Sequence, residues 1–117
     1  MTKHKSIPYL EHMADAIKDI ESFTKGLTKS QFLKNKLRQS AVIRQLEIIG
    51  EASKNLPENF RENYSEVEWK KIAGTRDKII HHYFGVDLNT VWDIVKKDLP
   101  DLKRKIKAIL KTEPKEK

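Results

Sequence analysis

Apolar residues recur at intervals of three and four along almost the whole chain, and this spacing constrains its fold more than any other feature. Ile7, Leu10, Ala14, Ile17, Ile20 and Phe23 follow it, and so do Phe32, Leu33, Leu37, Ala41, Val42, Leu46, Ile49 and Ala52. A period near 3.6 puts such residues on one side of an α-helix, whereas a strand needs alternation at two. Four glycines and four prolines in 117 residues leave few interruptions. The spacing therefore predicts an all-α, up-and-down bundle of four to five helices in one domain over residues 1–112, with 113–117 a charged C-terminal tail.

The helix ends are written in the same local chemistry. The first helix runs from Ile7 to about Gly26, a residue suited to a helix C-terminus. Thr28-Lys29-Ser30-Gln31 has the capping-box pattern and opens a second helix of about 25 residues, which Pro57 ends. Pro57–Tyr64 reads as a connection. Ser65-Glu66-Val67-Glu68 repeats the capping-box pattern ahead of Val67, Trp69, Ile72, Ile79 and Ile80, with Gly74 able to bend or divide that helix. Asp87 or Asn89 can cap a fourth helix through Leu88, Val91, Trp92, Val95 and Leu99, and Pro100 marks a break before the last one.

Composition narrows the chemistry. With no cysteine, disulfides, thiolate nucleophiles and cysteine-held zinc are excluded together, and no serine has a nucleophile-elbow context. No apolar run is long enough to cross a bilayer and MTKHKSIPYL has no signal-peptide core, so a cytoplasmic location is expected. The formal charge of +7 is unevenly placed: residues 1–95 hold 15 Lys+Arg against 13 Asp+Glu, and residues 96–117 hold nine against four. Most of the excess lies at the C-terminus, and net charge alone names no partner.

One stretch departs from the amphipathic background. Arg76-Asp77-Lys78-Ile79-Ile80-His81-His82-Tyr83 collects a permanent cation, a carboxylate, two imidazoles and a phenol within eight residues. A guanidinium offers a planar fork of donors to phosphate oxygens, and an imidazole exchanges protons near neutral pH. Together they suit phosphodiester cleavage without a metal, His81 moving the proton and Arg76 meeting the charge that builds on phosphorus. On an unbroken helix Arg76 and His81 would lie about 140° apart and Asp77 and His81 would share a face. Asp77 could then orient His81. Either the helix is distorted near His81, or a second subunit completes the site through a two-fold interface formed by the motif-bearing helices, and the dimer is the expectation. A capping and salt-bridge cluster is the plainer alternative. The adjacent His81 and His82 diverge by about 100°, and no other ligands complete a metal shell, so no metal or other cofactor is expected. His4 and His12 read as solvent-facing or groove-filling.

Arg76-x4-His81-x-Tyr83 resembles the R-x4-H-x-Y motif of the HepT-like toxins of the HEPN superfamily. The resemblance extends to Ala41-Val42-Ile43-Arg44-Gln45-Leu46-Glu47-Ile48-Ile49-Gly50-Glu51-Ala52, to the stretch from Trp69 to Arg76, and to Gly85-Val86-Asp87, Val91-Trp92 and Asp98-Leu99-Pro100. It implies a homodimeric HEPN-like bundle acting on RNA as a metal-independent ribonuclease, the toxin half of a toxin–antitoxin pair. Arg76 and His81 become the catalytic pair, with Asp77 and His82 auxiliary. Tyr83 takes the place of the tyrosine that the antitoxin, an MNT-type nucleotidyltransferase, modifies with AMP. Many relatives carry Asn where this chain has Asp77. The rival expectation is a non-catalytic subunit that binds a nucleotide or a nucleotidyltransferase.

Overall fold

The computed structural model describes residues 2–81 and 85–112, with side chains described at 6–79 and 85–112. Helix α1 spans Thr2–Thr24. It starts five residues ahead of the expected Ile7, because Thr2–Ser6 is polar and carries no apolar stripe to announce a helix. Gly26 ends the turn that follows at φ +77°, a left-handed conformation that costs a side-chain-bearing residue about 1–2 kcal/mol. The Leu27 N–H donates to the Thr24 carbonyl at 3.0 Å across that turn.

The capping box at Thr28 forms in full. The Gln31 N–H donates to Thr28 Oγ1 at 3.1 Å, and the Thr28 N–H donates to Gln31 Oε1 at 2.9 Å. The helix it opens is nevertheless short: α2 covers only Lys29–Leu33, and α3 covers Lys36–Asn55. The expected continuous helix is thus divided, and Asn35 is the cause. Its side chain accepts the Arg38 N–H at 3.0 Å, giving the backbone a fresh start that competes with helix continuation.

The expected connection Pro57–Tyr64 contains a further helix, α4 (Glu58–Asn63), entered at Pro57. A proline lacks an N–H that a first helical turn would leave unpaired anyway. The expected capping box at Ser65 does not form; α5 begins later, at Trp69, and spans Trp69–Ala73. Val67 and Trp69 are both buried, and the Trp69 indole N–H donates to the carbonyls of Tyr64 (3.0 Å) and Arg61 (3.2 Å). These contacts hold the chain in a turn where a helix was expected. Gly74 does divide the next rod, and α6 follows over Thr75–Ile79.

Helix α6 then stops. Ile80–His81 (β1) pairs antiparallel with Gly85–Val86 (β2), Ile80 opposite Val86 and His81 opposite Gly85. The Asp87 N–H donates to the Ile79 carbonyl at 2.6 Å, closing the base of this hairpin. Of the two cap candidates it is Asp87 that starts α7 (Leu88–Asp93), through the Thr90 N–H at 3.1 Å and the Thr90 hydroxyl at 2.8 Å. The break expected at Pro100 is absent. A π-turn over Ile94–Asp98 carries α7 directly into α8 (Leu99–Thr112), with Pro100 as the second residue of α8. Proline lacks the N–H for the usual bond and crowds the carbonyl four residues back, and a wider turn just before it relieves both demands.

Four rods result, α1, α3, α5–α6 and α7–α8, with α2 and α4 as short struts. This is the expected all-α bundle. Helix α3 packs between α1 and α5–α6, and α1 also packs on α8. Leu10, Met13, Ile17, Ile20, Val42, Ile79, Ile106 and Ile109 are almost fully enclosed, each side chain contributing about 1.5–3 kcal/mol by burial. Phe32 brings α2 onto α7 by packing on Trp92, ring centres 5.3 Å apart. Gly50 lets α3 approach α5 closely: a Cβ there would lie 3.3 Å from the Ile72 carbonyl oxygen. No helix among the described residues is long and apolar enough to cross a membrane.

Candidate functional site

Gly50 and Ala73, small residues on facing rods, lie at the wall of a groove of about 560 Å³ between α1, α3 and α5–α6. Arg76 and Asp77 project from α6 into this groove. The Arg76 side chain is 66% exposed, and its Nε lies 3.4 Å from Glu47 Oε2 on α3. Glu47 Oε1 lies 3.7 Å from an Nη of Arg44, one turn earlier on the same helix. One carboxylate therefore bridges two guanidinium groups across two rods. Helix α1 adds Tyr9 and the exposed His12 to the groove.

Its charged lining is balanced: Arg44, Lys54 and Arg76 face Glu47, Glu51 and Asp77. Preference for an anion must come from the placement of particular donors, because the bulk sign of the surface supplies none. Guanidinium groups at an open rim can do this, since exposed ion pairs of this length are weak and exchange readily for another anion. A smaller cavity of about 290 Å³ shares α5–α6 but takes Ile72, Thr75 and Lys78 in place of Ala73, Arg76 and Asp77. Its floor is aliphatic, and none of the candidate residues whose side chains are described lines it.

Of the residues singled out from the sequence, Arg76 and Asp77 thus share one open groove. The backbone of His81 lies in β1, two residues beyond the end of α6, while its side chain, together with His82 and Tyr83, falls outside the described residues. The helix ends at Ile79, so the shared face expected for Asp77 and His81 on an unbroken helix does not exist. The helix is interrupted two residues before His81, as one of the two expectations has it. Glu47 and Arg44 also line the groove, outside the residues singled out from the sequence. Their three-residue spacing on a helical stretch was a visible signal of an ion pair, but the link to Arg76 spans 29 positions and depends on packing.

The fold and groove define a small HEPN-like helical bundle that presents a motif arginine at the rim of a polar groove. The chain belongs to the HepT-like family, described as ribonuclease HepT-like, which matches residues 13–109. It is 50% identical over 103 residues to a protein of Thermococcus cleftensis named a probable ribonuclease HepT, covering 88% of this chain and 94% of that one. It is 46% identical over 106 residues to a Caldanaerobacter subterraneus protein provisionally named an RNase, covering 91% and 95%. A third relative, from Methanocaldococcus jannaschii, is 51% identical over 102 residues and is named a gamma-glutamylcyclotransferase and, provisionally, an RNase. That match covers 87% of this chain but only 46% of the relative, so this chain spans about half of that longer protein. No solved structure gives a significant match.

Proposed function

We propose that this chain is a metal-independent ribonuclease and the toxin of a toxin–antitoxin pair. Family membership with Arg76 standing at an open groove is the observation that carries the reading. In the reaction His81 accepts the proton of a ribose 2′-hydroxyl, whose oxygen then attacks the adjacent phosphorus, or it returns a proton to the departing 5′-oxygen. Arg76 donates hydrogen bonds to the non-bridging oxygens as their charge builds. Asp77 and His82 are auxiliary. Two copies of the chain supply both proton-transfer roles in a homodimer.

The partner is an MNT-type nucleotidyltransferase, which silences the toxin by transferring AMP from ATP to Tyr83. The added AMP brings a negatively charged phosphate and bulk, which oppose RNA by repulsion and exclusion. The pair works in the cytoplasm. Purified chain incubated with cellular RNA in excess EDTA cleaves it, and His81→Ala does not; intact RNA with unmodified wild type refutes the proposal. Co-expression with the nucleotidyltransferase adds AMP-sized mass increments to the peptide holding Tyr83 and none to Tyr83→Phe.

A further inference from the structure

We infer that Arg44 and Arg76, linked through Glu47, form a two-guanidinium site for RNA phosphate, with Arg44 a phosphate-binding residue and Glu47 the residue that positions both arginines. The geometry leaves both guanidinium groups open to a ligand. Both arginines are largely exposed, 69% for Arg44 and 66% for Arg76, while Glu47 between them is 29% exposed. At 3.7 and 3.4 Å the contacts are longer than the roughly 2.7–2.9 Å of a strong charge-assisted bond. Arg76 turns its Nε to Glu47, which leaves both its Nη groups without a partner among the described residues.

Two guanidinium groups this close would repel each other alone. One carboxylate lowers that repulsion and leaves a net charge of +1 in the trio, which a phosphate diester group of charge −1 balances. The two arginines come from different rods, α3 and α6, so the site spans the groove and can hold a phosphate in line with the strand that passes Arg76. Glu47 is the least exposed member of the three, partly buried on α3.

The inference takes its ligand from the ribonuclease reading, but binding and cleavage test the two separately. The full chain is titrated with a fluorescein-labelled, fully 2′-O-methylated RNA, which has no free 2′-hydroxyl to attack, and anisotropy is followed over a range of salt. Arg44→Ala is expected to weaken binding roughly three- to fivefold and to lower the slope of log affinity against log salt by about 0.7, the value of one single-strand phosphate contact. Arg44→Lys keeps the slope. Glu47→Gln tightens binding by removing the competing charge, yet lowers kcat on unmodified RNA because Arg76 is no longer held; a purely structural role would not move these two quantities in opposite directions. Circular dichroism melts within a few degrees of wild type certify each variant as folded. A wild-type slope in Arg44→Ala, or unchanged affinity and kcat in Glu47→Gln, overturns the inference. Arg44-dependent binding by a protein that never cleaves RNA leaves this site standing and overturns the ribonuclease reading instead.

Discussion

Placing a branched side chain at Gly50 tests whether the close approach of α3 and α5 sets the width of the groove. A single added carbon would sit 3.3 Å from the Ile72 carbonyl oxygen and 3.6 Å from that of Ala73, both of them backbone atoms that cannot rotate aside. For Gly50→Ala, overpacking of about 1–3 kcal/mol opposes the roughly 1 kcal/mol that alanine gains over glycine inside a helix, for a net loss of about 0–2 kcal/mol. Gly50→Val adds two methyl groups with stiff torsions at the same contact and recovers less helical propensity, so its net loss should reach about 2–4 kcal/mol. For a chain of this size that is a fall in Tm of roughly 6–20 °C. Urea and thermal unfolding followed by far-ultraviolet circular dichroism give both quantities. The strain is relieved by pushing α5–α6 outward, so Gly50→Val should also weaken the coupling between Glu47 and Arg76 in a double-mutant cycle. A Gly50→Val protein that unfolds at the wild-type midpoint would show that the two rods do not touch as described.

Two other outcomes follow from local chemistry. Asn35→Ala removes the side chain that caps α3 and should cost about 0.5–2 kcal/mol in urea denaturation, with Asn35→Asp restoring most of it. The Asp101 carboxyl is held below its usual pKa of 3.8, chiefly by its hydrogen bond with Lys105 and also by Arg104. A lowered folded-state value means stability that is present above the unfolded pKa and is lost as pH falls through the folded one. Asp101→Asn should therefore change stability near neutral pH and flatten its dependence in acid below the ordinary carboxylate range, and high salt should shrink the difference, since the group is exposed.

Much of the bundle could be read from apolar spacing, because that spacing and the burial of the same residues have one cause. Period alone places Leu10, Ile17, Val42, Leu46 and Val91 on core faces, and all are buried. Caps fared unevenly. Thr28 and Asp87 behave as their local patterns indicate, since the bonds involved reach only three residues. Ser65 does not, because a distant requirement, burial of Val67 and Trp69, outweighs the local one. Pro100 misled in the opposite sense: its covalent geometry forbids a regular α-turn but tolerates a wider one. At the groove, Arg76 and Asp77 stand out in the sequence by residue type, whereas Glu47 meets Arg76 only through the packing of α3 on α6. Pairings across 29 positions leave no periodic trace.

The short bond from the Asp87 N–H to the Ile79 carbonyl has a consequence for how such chains diversify. Ile79 is completely buried and Asp87 caps α7, so both feet of the segment that follows α6 are anchored in the bundle. Closing a loop on fixed feet costs only about 0.6 kcal/mol more for each doubling of its length. An insertion between these anchors is therefore expected to cost the rest of the molecule little. Selection on substrate or partner can work there almost free of selection on folding.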